Sequence, residues 1–437
     1  MLRSQTLGFL LACSASLSAQ GLGYWKKMPS LQIPRQEVGA AVIGGKIYVT
    51  GGLTTSRGPT DTMEIFDPAT GKWKAGKNIP TTLHHHGCCA VNGQLYLIGG
   101  YISKFQGTKN CWRYDPKSDT WNAVTPLPRA RGALVAATIK GKIYAIGGVV
   151  PGSGAVGELT EFDPKTQTWR TLTPMSRKRE HLAATALGGK LYVAGGRANG
   201  KLFNDLEIYN PTTQKWAKGP NMPTARGGTN AAALEGKLIV FGGEGGRIYP
   251  EVEEYDPQKK KWRRLADMLV PLHGIYPVTQ GGRVLIAGGG LKPGMGDTNT
   301  VLSFRYLPSG VERYGRWSPA CRGAIRMYVN GPPTAGQSQF QCSTTATAQN
   351  RAVGVLALAA APDRIGTRFL DLTLHIGLNP APVTLPAAAN ANGRAKTPLP
   401  LPAGTRGLWC HAQYIWAKSQ GCAGTLAGSD ALTIVVQ

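Results

Sequence analysis

Arginine, histidine and carboxylate recur through this chain at nearly constant steps. Arg35, Arg131, Arg179 and Arg226 fall into one register when the sequence is folded at about 48 residues. The next register holds Gln36, His84, Glu180 and His273, and the one after it Glu37, His85 and His181. Arginine binds carboxylates and phosphates through paired, charge-assisted hydrogen bonds. Histidine and glutamate transfer protons near neutral pH. Brought around one axis, Arg35, Glu37, His85, Arg131, Arg179, Glu180, His181, Arg226 and His273 form a candidate binding set for an anion or a sugar acid. His84 and His86, with Cys88 and Cys89, are weaker candidates for a transition metal. Neighbouring strand residues point to opposite faces, so at most part of that set can share an ion. The expectation is therefore no metal and no cofactor. No nucleophile elbow, phosphate loop or paired-acid motif is present.

The same period governs the apolar residues. A Gly-Gly pair ends an apolar run at Gly51-Gly52, Gly99-Gly100, Gly147-Gly148, Gly195-Gly196, Gly242-Gly243 and Gly288-Gly289. Each unit reads as four short strands. A small-residue strand leads through a tight turn such as Asn92-Gly93 to the strand that ends in Gly-Gly. A variable loop follows, then a third strand closed by Asp67-Pro68, Asp115-Pro116, Asp163-Pro164, Asn210-Pro211 or Asp256-Pro257. The fourth strand carries Trp73, Trp121, Trp169, Trp216 or Trp262. The pattern predicts an all-β, six-bladed propeller.

Gly-Gly, an aromatic residue before Asp-Pro and the spaced Trp together resemble the kelch repeat over roughly residues 24–308. The sixth unit departs from it, with Tyr306-Leu307-Pro308 in place of Tyr-Asp-Pro and Arg313 in place of the Trp. Trp25 stands one period before Trp73, so the strand around Tyr24-Trp25-Lys26 is expected to complete blade six. Trp317 is the competing choice, four residues late.

The resemblance implies a protein- or glycan-binding module. It also implies that arginines of the entry loops serve structure. The alternative it raises is an enzyme like the six-bladed periplasmic sialic-acid epimerases, acting on an acidic sugar at the channel mouth with Arg179, Arg226, Glu180 and His181. The Tyr and His copper-ligand pattern of galactose-oxidase-type propellers is not found in these loops.

Three segments are expected: residues 1–19 a signal peptide, 20–310 the propeller and 311–437 a small β-sandwich. Arg3, the apolar Leu7–Ala12 run and the small residues up to Ala19 read as an export leader, and Leu10-Leu11-Ala12-Cys13 offers lipoprotein processing at Cys13 as a minor route. The mature protein is expected to be a secreted, periplasmic or cell-surface monomer without a transmembrane segment. After residue 310 charge becomes sparse and strands alternate with Pro and Gly turns. Export permits disulfides, and Cys321–Cys342 with Cys410–Cys422 is the expected pairing. Cys88, Cys89 and Cys111 are an odd set. The net charge of +25 favours an anionic surface or glycan over nucleic acid, which an exported protein rarely meets, although solubility alone also accounts for it.

Overall fold

The structure is a computed structural model that describes residues 23–306, save Arg57 and Lys104, and strand segments between residues 311 and 435. Six four-stranded antiparallel sheets follow one another. Blade one is Gly39–Ile43, Lys46–Thr50, Met63–Asp67 and Lys72–Ala75, from the axis outward. Blades two to five repeat it. Blade six takes three strands from Val278–Gln280, Arg283–Ala287 and Val301–Arg305, and its outer strand is Tyr24–Met28.

That closure is the expected one. Trp25 pairs with Phe304 across the strands, as Trp73 pairs with Phe66 in blade one. In all six blades the Trp ring lies about 5 Å from the aromatic ring opposite it. In all six its Nε1 donates to a carbonyl leaving the preceding blade. Trp73 reaches Pro29 at 2.7 Å and Trp25 reaches Ala266 at 3.0 Å.

The Gly-Gly pairs have a steric cause. Both glycines lie at positive φ, 57° and 110° for Gly51 and Gly52. The second N–H donates to a carbonyl of the next blade: Gly52 to Leu83, Gly100 to Arg131, Gly148 to Arg179, Gly196 to Arg226, Gly243 to Leu272 and Gly289 to Arg35, at 2.7–3.1 Å. A Cβ on Gly51 would stand 2.1 Å from the Leu83 oxygen. Only glycine allows the blades to be stitched this closely.

Among the described residues there is no helix, so none is long and apolar enough to cross a membrane. The trailing strands also pair antiparallel, with Val353–Ala359 between Val383–Ala388 and Trp409–Ala417. Residues 1–22, Cys321 and Cys422 lie outside the described residues, and the expected leader and disulfides with them. Cys88, Cys89 and Cys111 are buried and unpaired, and burial pushes the Cys88 and Cys111 thiols up to about 12. The odd set therefore contains no bridge at all.

Candidate functional site

Glu37, His85, Ala133, His181, Gly228 and Gly274 occupy the same position in successive blades, and all six lie in the left-handed region, with φ between 49° and 60°. Five backbone hydrogen bonds link five of the six steps around the axis, the step from Gly228 to His181 excepted. Glu37 N donates to Gly274 O, His85 to Glu37, Ala133 to His85, His181 to Ala133 and Gly274 to Gly228, at 2.8–3.2 Å. Four L-residues held left-handed cost energy that these inter-blade bonds help to offset.

The residue before each ring position pairs with the residue after each Gly-Gly: Gln36 with Leu53, His84 with Tyr101, Gly132 with Val149, Glu180 with Arg197, Gly227 with Glu244 and His273 with Gly290. This brings Arg197 and Glu244 to the mouth. Arg197 donates to Glu180 at 2.9 Å and to Glu244 at 2.7 Å. His273 Nε2 lies 3.5 Å from Glu244, and Gly294 N donates to the same carboxylate at 2.7 Å. The His181 Nδ1 edge contacts the Glu180 carboxylate. Glu37 places one oxygen 3.4 Å from His85 Nε2 and the other 3.9 Å from His181 Nε2. His84 and His85 meet through their Nδ1 atoms at 2.6 Å. The rings of Tyr101 and Phe105 pack against both.

Burial sets the electrostatics. It pushes the Glu37 carboxyl up to about 8, with Glu244 adding and Arg197 opposing. It holds His85 well below the usual histidine range, helped by His181 and His84, and His181 likewise, helped by Arg197. At neutral pH both rings are neutral.

The four arginines do not reach this mouth. Arg35, Arg131, Arg179 and Arg226 are fully buried and turned into their own blades. Each donates to the carbonyl of the first Gly of its Gly-Gly pair and to the third strand. There they meet Glu64, Thr160, Glu207 and Glu253. The expectation that they converge on the axis is thereby corrected, because each has its acceptors inside the blade. Blades two and six, which carry Leu83 and Leu272 instead, have Trp112 and Leu302 at the acceptor position. His86 also turns away from the mouth. Its Nε2 lies 3.0 Å from Thr50 Oγ1 of blade one, and burial pushes it down to about 3. It shares no donor cluster with His84. Glu37, His85, Glu180, His181 and His273 are the expected residues that the fold does bring together.

The axis is closed below the ring. Tyr276 leaves blade six and crosses the channel, donating to Cys88 O at 2.7 Å or Ala136 O at 3.1 Å and accepting from Cys88 N and Ala136 N. A cavity of about 40 Å³ lies between this plug and the ring, lined by Glu37, His85, His181 and Tyr276 among others. Arg197, Glu244, Tyr101, Phe105 and Tyr276 were not among the expected site residues. The first three follow a Gly-Gly pair directly, and Tyr276 stands two residues past the ring, where the other blades carry Gly39, Gly87, Val135, Ala183 and Asn230. Comparing those two columns of the repeat would have singled out these four, while Phe105 lies in a variable loop outside both.

The KLHDC2/KLHL20/DRC7 Kelch-repeats domain model matches residues 23–148 and 85–289. No curated protein matches the chain. Among solved structures, that titled "Structure of YjhT" aligns with a TM-score of 0.54 at 20% identity, over 63% of this chain and 96% of the other, a likeness of fold. Glycine pairs, the paired Trp column, the six sheets and the domain match agree, and the chain belongs to the kelch-repeat family.

Proposed function

We propose that the protein is an exported, monomeric binding module that takes its ligand at the channel mouth, and that the ligand is a glycan rather than a protein. The observation that carries this reading is Phe105, 68% exposed, its ring packed on Tyr101, His84 and His85 of the mouth that also holds Arg197, Glu180 and Glu244. An exposed aromatic face in a mouth that also presents fixed carboxylates and a guanidinium suits a ring that is apolar on one face and hydroxylated at its edge. The ring of left-handed residues and the Tyr276 plug support a ligand held at the mouth rather than in the channel. Export rests on the leader sequence alone.

The alternative, an enzyme acting on an acidic sugar, needed Arg179 and Arg226 as its anion clamp, and both have their acceptors inside the blades. The test is a glycan array probed with the purified protein and with Phe105→Ala and Arg197→Ala. Binding to one glycan class, lost in both variants, is expected. No glycan signal, or equal binding by Phe105→Ala, overturns the reading. Accelerated anomer exchange of free sialic acid, followed by NMR, would put the enzyme in its place.

A further inference from the structure

Two imidazole edges and one carboxylate converge at the ring, each from a different blade. Glu37, His85 and His181 offer one donor atom apiece, all within 4.8 Å of one another. We propose that these three residues bind one divalent transition-metal ion on the propeller axis. The proposal does not rest on the identity of a ligand at the mouth.

The donors are already oriented. His181 presents Nδ1 to Glu180, so a proton held on that side leaves Nε2 as a bare lone pair toward Glu37. His85 presents Nδ1 to His84 Nδ1, so a proton held on that side leaves its Nε2 bare as well. A carboxylate behind a histidine is the usual support of a metal-bound imidazole. The spacing also fits. Bonds of about 2.0–2.1 Å in a tetrahedral zinc site place neighbouring ligand atoms about 3.3 Å apart. Glu37 stands 3.4 Å from one Nε2 and 3.9 Å from the other, so small rotations complete the site.

Charge points the same way. Within ion-pair distance of the Glu37 carboxylate the described groups are the two neutral imidazoles. Glu180 and Glu244 face one guanidinium, Arg197, which leaves a net negative charge in the mouth beside Glu37. A divalent cation bound as the Glu37 carboxyl gives up its proton balances the three carboxylates against Arg197. Two nitrogens and one carboxylate without sulfur suit zinc, and also divalent iron, cobalt or copper. The three residues line the cavity of about 40 Å³, room enough for a water in the fourth position.

The ring supplies the variants. Blades five and six carry Gly228 and Gly274 at this same left-handed position, so glycine at residues 37 and 181 suits the backbone. Tag-free protein is stripped with a chelator and titrated with Zn²⁺ by calorimetry and with Co²⁺ by visible absorption. One ion per chain and a tetrahedral Co²⁺ spectrum are expected. Loss of an outer-shell partner weakens metal sites about 10–100-fold, so Glu180→Gln should fall in that range and His181→Gly and Glu37→Gly beyond it. His411→Asn, in the trailing strands, should bind as the parent does. Melting curves verify that each variant is folded. No binding by the parent, a six-coordinate Co²⁺ spectrum, or unchanged affinity in folded His181→Gly overturns the site.

Discussion

Arg179 places its guanidinium 2.8 Å from the Glu207 carboxylate, with both side chains buried, and the same carboxylate accepts from Ser176 N at 2.8 Å. The contact ties the loop entering blade four to the blade's third strand. Arg35 with Glu64 and Arg226 with Glu253 repeat it. Blade six replaces the pair by Leu272 and Leu302, both buried in one apolar cluster.

This relation predicts a stability pattern. Breaking a buried pair from one side leaves an uncompensated charge and costs about 3–5 kcal/mol, whereas an apolar pair of similar volume is often neutral. Arg179→Leu alone should lower stability by that amount in urea unfolding. Arg179→Leu with Glu207→Leu, which copies blade six, should recover most of it. Glycan binding by the folded double variant should equal the parent's, since neither side chain faces the mouth.

Ring closure by Tyr24–Met28 gives a second expectation. Removing residues up to Met28 exposes the edge of Val301–Arg305 and strips Trp25 from Phe304 and Phe241. The shortened protein should associate or aggregate in light scattering. Trp25→Phe keeps the strand and loses the Nε1 bond to Ala266, at a cost of about 1 kcal/mol.

Stability should depend on pH in two limbs. Glu37, facing Glu244, Arg197, His85 and His181, has its folded value raised from 4.5 to about 8. The folded state then binds more protons than the unfolded one, and metal-free protein loses stability as pH rises from about 5 through 8. Buried His85 and His181 are shifted below 6.5, so their contribution is present above that value and is lost as pH falls. Glu37→Gln should flatten the alkaline limb of melting temperature against pH and leave the acid limb in place.

Tyr276 plugs the channel with one hydroxyl shared between two blades. Tyr276→Phe leaves Cys88 and Ala136 without that partner and should cost about 1–3 kcal/mol in unfolding experiments. Water entry through the widened axis should appear as faster amide exchange at Cys88 and Ala136.

Blade count, the Gly-Gly stitches, the Trp column and closure by Trp25 were legible in the sequence, because each repeats the same local requirement six times. The registers that hold Gln36, His84, Glu180 and His273, and then Glu37, His85 and His181, were legible for the same reason. Side-chain direction was not. Arg179 and His181 lie two residues apart in the same loop, yet one enters the blade and the other faces the axis. A left-handed residue in every blade makes that difference, and no single residue type announces it: Glu37, His85, Ala133 and Gly228 all adopt it.

By itself the sequence determined a wheel of six sheets and the columns from which a site is drawn, since period and residue size depend only on neighbours along the chain. Tertiary structure decided that the arginines serve the blades, that Arg197 and Glu244 join the mouth and that Tyr276 seals the axis. Those outcomes depend on which hydrogen-bond acceptors lie within reach across blades, and residues separated by 188 positions, such as Cys88 and Tyr276, become neighbours only when the ring closes.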